Sequence, residues 1–238
     1  MTRLKWAVLV AVSSLPLTAI AQNAIEEVIV TATKRSESVQ DIGLSISAFS
    51  GDEMQKSAIV NSTEVFNKVP NLEFQLNGTS TGANIFLRGM GTSGPAFNQL
   101  SGVGVYADEV SLNSPIVNIA QLYDLERVEV LRGPQNTLYG RNTTGGAMNL
   151  VSRKPEIGGD ANGYASATYG RFGYTGLEGA FGAPFGETSA FRGAIQYQKN
   201  DGYSDNRTTG KTDAMTDKFA ARAMALFRPS DALEILLR

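Results

Sequence analysis

Two kinds of hydrophobic patterning divide the chain near residue 160. From Gly163 onward apolar and polar positions alternate at period two. Ala165, Ala167 and Tyr169 stand against Ser166 and Thr168, and Leu177, Gly179 and Phe181 against Glu178. Phe191, Gly193, Ile195 and Tyr197 alternate with Arg192, Ala194, Gln196 and Gln198. Phe219, Ala221, Ala223, Ala225 and Phe227 oppose Lys218, Arg222 and Arg228, and Leu233, Ile235 and Leu237 oppose Glu234 and Arg238. Successive side chains of a strand point to opposite faces, so each run predicts a strand with one apolar face and one more polar face. Runs of about eight to eleven residues match a tilted strand crossing a bilayer. A soluble antiparallel sandwich alternates in the same way, so periodicity alone leaves both architectures open.

Residues 41–155 mix helical and strand signals. Ser50-Gly51-Asp52-Glu53 has the spacing of a capping box and predicts a short helix through about Ala58. Asn61-Ser62-Thr63-Glu64 repeats that logic, and its helix must stop by Val69 because Pro70 disfavours helical geometry before it. Short strands are expected at Leu72–Leu76, Ile85–Leu87 and Val103–Ala107. Asn118 to Leu125 reads as a helix, with Ile119, Leu122 and Leu125 at spacing three. Arg127 to Arg132 alternates like a strand and ends at Gly133-Pro134.

The N-terminus reads as an export signal. Arg3 and Lys5 supply the charge, Trp6 to Leu17 the apolar stretch, and Ala19-Ile20-Ala21 a small-x-small cleavage site. Ser13, Ser14 and Pro16 interrupt an apolar stretch already too short to cross a bilayer as a helix. Cleavage after Ala21 brings a β-prone island, Val28 to Ala32, close to the new end. Such a strip is suited to joining a partner's sheet as an added strand; an edge strand of the following domain or a plain tail is the alternative.

Composition narrows the chemistry. The 238 residues contain no cysteine and no histidine, which removes disulfides, thiolate metal sites, the usual zinc ligands and imidazole catalysis. With 21 basic and 23 acidic residues there is no electrostatic footprint for nucleic acid. Gly89-Met90-Gly91-Thr92-Ser93-Gly94 fits G-x-G-x-x-G, but Phe97 to Gly104 shows no helical period of the kind a dinucleotide site requires, so a loop is the better reading. The segment from Gly133 to Leu150 is rich in glycine, asparagine and threonine and reads as a packed loop between strands. Arg88-Gly89 and Arg132-Gly133 place two arginines at strand ends in the same context, which points to a paired structural role.

The segment Glu26-Glu27-Val28-Ile29-Val30-Thr31-Ala32-Thr33-Lys34-Arg35 resembles the TonB box of TonB-dependent outer-membrane receptors. Ile85-Phe86-Leu87-Arg88-Gly89, then Asp124-Leu125-Glu126-Arg127-Val128-Glu129-Val130-Leu131-Arg132-Gly133-Pro134-Gln135, resemble their plug domain. Leu138-Tyr139-Gly140-Arg141-Asn142-Thr143-Thr144-Gly145-Gly146 onward to Pro155 resembles the last plug strands and the crossing into the barrel. The resemblance implies an α+β plug domain followed by the first strands of an antiparallel transmembrane β-barrel, incomplete here against a family barrel of about 22 strands. It divides the chain into a signal peptide (1–21), an extension with the TonB box (22–40), a plug (41–155) and the start of the barrel (156–238).

The same resemblance implies a Gram-negative outer-membrane receptor, surrounded by outer-membrane lipid. Its role would be energy-coupled nutrient uptake driven by TonB with ExbB–ExbD, with no enzymatic reaction, cofactor, bound metal or nucleic-acid partner. The commonest cargo in the family is a ferric siderophore. Glu27, Val28, Ile29, Val30, Thr31 and Ala32 become the TonB-binding residues. Arg88 and Arg132 become a plug–barrel lock pairing with barrel glutamates, with Glu129, on the strand parity of Arg127 and Leu131, as a third member. The stretch after Pro155 holds about five strands, so an N-terminal fragment is expected. With few residues between the expected cleavage after Ala21 and Glu26, no additional signalling domain is expected before the TonB box. A soluble periplasmic plug-like interaction module is the competing reading. A carboxylate-based exported hydrolase is a third, for which no carboxylate pair stands out.

Overall fold

The first described element is a short strand that pairs with the next. β1 (Ile29–Val30) pairs antiparallel with β2 (Glu37–Ser38). The computed structural model describes residues 29–32, 34–35, 37–57, 59, 62–76, 83–92, 101–112, 122–208 and 210–238. The expected signal segment, Glu27 and Val28 lie outside the described residues.

β3 (Ser45–Ser50) runs directly into α1 (Gly51–Lys56). The Ser50 hydroxyl accepts from the Glu53 N–H at 3.2 Å, the cap that the Ser-x-x-Glu spacing calls for, worth about 1 kcal/mol. Gly51 is required by packing: a Cβ there would fall 2.1 Å from the Leu125 carbonyl oxygen. α2 (Ser62–Phe66) ends before Pro70, as expected, while Asn61 lies outside the described residues. β4 (Leu72–Leu76), β5 (Ala83–Leu87) and β6 (Met90–Gly91) form an antiparallel sheet, turning into β6 through Arg88 and Gly89, both at positive φ. Gly89 thus lies in the turn and Gly91 in β6, while Ser93 and Gly94 lie outside the described residues.

β7 (Val103–Ala107), β8 (Val110–Ser111), β9 (Leu125–Arg132), α3 (Asn136–Tyr139) and β10 (Gly146–Ser152) complete this unit. The principal sheet has the order β3-β9-β10-β7-β8, with β10 parallel to β7 and the other pairs antiparallel. Two expectations are corrected here. Leu122 to Asp124 are not helical and Leu125 opens β9; Leu122 and Leu125 are buried, but from an irregular corner with Asp124 at φ 48°. The Gly133–Leu150 segment is not one loop, because α3 and then β10 form within it once β9 and β7 supply ladder partners on both sides.

β9 and β10 are central and buried on both faces. One face, carrying Val128, Val130, Met148 and Leu150, packs against Met54, Val65, Phe66, Ile85 and Leu87 from the helices and the smaller sheet. The opposite face carries Leu131 and Ala147 against Val30, Ala32, Tyr106 and Tyr139. Register places Ala48, Glu129, Asn149 and Tyr106 in one row across that second face, which sets a carboxylate in the middle of an apolar layer.

The C-terminal part is one antiparallel sheet: β11 (Asn162–Tyr169), β12 (Thr175–Pro184), β13 (Ser189–Asn200), β16 (Thr216–Ser230) and β17 (Leu233–Leu237). Between β13 and β16 a small hairpin pairs β14 (Ser204–Asn206) with β15 (Lys211–Asp213). The alternation read from the sequence sorts onto two faces. Arg192, Ala194, Gln196, Met224 and Leu226 are buried on one side, where Arg192 and Gln196 reach the first unit, while Leu177, Phe181, Phe191, Ile195, Phe219 and Phe227 are exposed on the other side. The sheet is a wall with an apolar exterior and a polar interior partly covered by the α/β unit.

Candidate functional site

Three groups of residues carry the features that local packing alone does not require. The first is the N-terminal strip. Its β-prone sequence forms β1, and Val30 and Ala32 sit with no exposure against Tyr106, Leu131, Tyr139 and Ala147. The strip expected near a free end is therefore docked, because its alternate side chains complete an apolar layer. Glu129, fully buried, holds it: one carboxylate oxygen accepts the Thr31 N–H at 2.8 Å and the Thr31 hydroxyl at 3.3 Å. The same oxygen accepts Arg127 Nε at 2.7 Å, and the other accepts Asn149 Nδ2 at 3.3 Å. Arg127 Nη2 also donates to the Thr31 hydroxyl at 2.9 Å, so one ion pair grips both sides of Thr31. Lys34 closes the edge, 4.9 Å above the Tyr139 ring and 3.9 Å from Glu109. Burial pushes the Tyr139 phenol well above its usual range, with Glu129 adding to the shift. Ile29 remains 55% exposed at the outer end.

The second group is the arginine pair. Arg88 lies exposed on the β5–β6 turn, and its Nη1 is 3.6 Å from where a side chain on Gly133 would begin. Arg132 ends β9 beside it; its Nη2 donates to the Ile46 carbonyl at 3.3 Å, and its buried Nε has no partner among the described residues. The two arginines expected to act together share one edge. Glu129 is not with them: it is committed to Arg127, Asn149 and Thr31 on the same sheet face as the strip.

The third group was not singled out from the sequence. At the corner preceding β9, Asp124 forms a bidentate pair with Arg192 of β13, with Nε to Oδ2 at 2.7 Å and side chains 1% and 3% exposed. Arg222 of β16 donates to the carbonyls of Tyr123 at 3.0 Å and Asp124 at 2.7 Å and lies 4.7 Å from the Tyr123 ring. Glu178 of β12 accepts the Asp124 N–H at 3.3 Å, Gln196 Nε2 at 3.0 Å and the Tyr164 hydroxyl. Three of the wall residues, Glu178, Arg192 and Arg222, were visible as polar positions of the alternation. Their partner was hidden because Asp124 sat inside a stretch read as helix.

With this geometry in place, comparison with known proteins identifies the architecture. Residues 38–147 match the family model described as TonB-dependent Receptor Plug Domain. The pesticin receptor of Yersinia pestis is 32% identical over 146 residues, covering 60% of this chain and 21% of that protein. The ferrichrome outer membrane transporter/phage receptor of Escherichia coli K12 is 30% identical over 128 residues, covering 52% of this chain and 16% of that protein. The chain thus spans about a fifth of the length of these curated relatives. Among solved structures, the ferric yersiniabactin uptake receptor of Yersinia pestis superposes with a TM-score of 0.72 at 25% identity, covering 79% of this chain and 29% of that one. The pyoverdine outer membrane receptor of Pseudomonas aeruginosa PAO1 gives 0.72 at 16% identity over 87% of this chain and 29% of that one, a likeness of fold.

Proposed function

The chain carries the plug domain of the TonB-dependent receptors and the opening strands of their barrel, and from this we propose that it serves energy-coupled import of a ferric siderophore across a Gram-negative outer membrane. On this reading residues 1–21 direct export, 22–40 face the periplasm, 41–155 form the plug and 156–238 begin the barrel. The names of the ferrichrome transporter and the ferric yersiniabactin receptor support an iron chelate as cargo, carried without a reaction upon it. The exposed apolar parity of the wall, Leu177, Phe181, Ile195 and Phe219, supports contact with outer-membrane lipid over a soluble module.

The observation that carries the proposal is the docked strip. Glu27, Val28, Ile29, Val30, Thr31 and Ala32 would capture TonB by adding a strand to its sheet, and ExbB–ExbD would supply energy through that contact. In the docked form Val30 and Ala32 are buried and the Thr31 N–H is already given to Glu129. Capture therefore follows release. Hydrogen bonds to charged groups contribute about 1.5–3 kcal/mol each, and the burial of Val30 and Ala32 adds to them, so the released form is a minor state. Cargo can raise that fraction only by binding the released form more tightly. Arg88, which reaches the Gly133 turn, and Arg132, whose Nε has no partner among the described residues, would lock the plug edge to acidic side chains of the barrel.

Crosslinking of a receptor containing this chain to the C-terminal domain of TonB tests the strip. Ile29→Pro removes a donor from the captured strand and restricts its neighbour, and it should abolish the crosslink. Undiminished crosslinking would sink the assignment.

A further inference from the structure

The inner face of the wall carries charged groups that are partnered in part by the corner at residues 122–124. Glu178, Arg192 and Arg222 project from β12, β13 and β16 toward that corner, and Asn162 of β11 accepts Arg192 Nη1 at 2.7 Å. We propose that this corner and the first four long wall strands, β11, β12, β13 and β16, fold as one unit, so that the plug seats on the wall before a barrel closes around it.

Each half is incomplete alone. Arg192 and Asp124 have side chains 3% and 1% exposed, and a buried charge without its partner is strongly unfavourable. Arg192 therefore cannot be covered until Asp124 arrives, and Asp124 cannot be covered until the wall does. Backbone groups follow the same logic. The Asp124 N–H goes to Glu178, the Leu122 carbonyl accepts Gln196 Nε2 at 3.3 Å, and the Tyr123 and Asp124 carbonyls accept Arg222. The Asp124 carbonyl also accepts the Arg153 N–H at 3.1 Å, where the chain leaves β10 for the wall. Seat and tether coincide, so the closing loop from Arg153 into β11 is short and its entropic cost small. Late entry of the plug into a closed barrel would instead leave these charges to be matched inside a confined lumen.

The test is hydrogen exchange with mass spectrometry on the 238-residue chain refolded in detergent micelles. Amides of β13 and β16 should be protected together with those of β9 and β10. Asp124→Asn should speed exchange in β13 and β16 by at least about tenfold while leaving β9 and β10 nearly unchanged. Removing both charges, Asp124→Asn with Arg192→Gln, should cost less protection than Asp124→Asn alone, because Arg192 is then no longer left buried without its partner. If Asp124→Asn fails to refold, Arg222→Gln keeps the central pair and should loosen β16 alone. Protection of β9 and β10 with β13 and β16 exchanging freely would overturn the proposal. So would β13 and β16 rates unaltered by these variants, or a chain with no protected strands.

Discussion

Replacing Glu129 by glutamine isolates the hold on the N-terminal strip. The side chain is fully buried, and its carboxylate accepts from Thr31 twice, from Arg127 Nε and from Asn149 Nδ2. Glutamine has nearly the same shape but offers one acceptor oxygen and one NH2, and it removes the charge. If the oxygen stays on the Thr31 side, the NH2 faces the Asn149 donor; if it turns, Thr31 loses its acceptor. A hydrogen bond to a charged group exceeds a neutral one by about 1 kcal/mol, so the strip should lose about 1–2 kcal/mol of hold. That corresponds to a roughly 5–30-fold larger released population. Arg127 keeps Glu126 as an ion-pair partner, which limits damage to the sheet itself. The assay is thiol labelling of a cysteine at Ala32, a fully buried position in a chain that otherwise has none. Labelling of Ala32→Cys should accelerate by the same factor in the Glu129→Gln background. Ile29→Cys, already exposed, should label equally fast in both. Equal rates at Ala32 in the two backgrounds would refute the reasoning.

Three further outcomes are expected. Arg88→Ala with Arg132→Ala in a receptor containing this chain should raise passive leak or exchange of the plug edge, and unchanged values for both would count against the lock. Gly146→Ala should destabilise the plug by about 1–3 kcal/mol or more, because a Cβ there, at φ 149°, would lie 2.2 Å from the Leu131 carbonyl oxygen. In urea melts of both variants, Gly43→Ala, with nothing within 4 Å, should be neutral or slightly stabilising. Tyr139→Phe removes a buried hydroxyl that has no partner among the described residues. The folded-state phenol is raised above its ordinary value of about 10, so the unfolded chain ionises first. Stability contributed below that pH is lost as pH rises beyond it, and the Phe variant should show a smaller alkaline loss.

Much of the fold was legible because its signals are local. The Ser50 cap depends on residues three apart, and strand alternation on residues two apart, so α1 and the wall strands can be read from short windows of sequence. The helical reading failed at residues 122–125 for the same local reason, residues 118–121 lying outside the described residues. Leu122 and Leu125 at spacing three satisfy a helical template, yet both are buried by the plug core from a corner whose geometry is fixed by Arg192, Glu178 and Arg222, far along the chain. Likewise β10 looked like loop because glycine and asparagine are poor strand formers. Two flanking strands override that weak preference by taking its backbone groups into a ladder on both sides.

The site was legible in its residue types and not in its pairings. Glu129 was named through the family resemblance, but its neighbours in the row are set by register among four strands, which the sequence does not state. That register turns an expected lock residue into the acceptor that holds the strip. It also separates the plug's polar contacts by cost of release. Asp124 and Arg192 are both nearly fully buried, so parting them leaves charge stranded in a low-dielectric site. The strip is held by the bonds of Thr31 to Glu129 and Arg127 and by the burial of Val30 and Ala32, and its release strands no ion pair, because Arg127 and Glu129 stay together. A pull applied at the N-terminus therefore meets the weaker contact first. The strip should peel from Glu129 while the Asp124 corner stays seated, and the wall can act as the fixed support against which the pull is made.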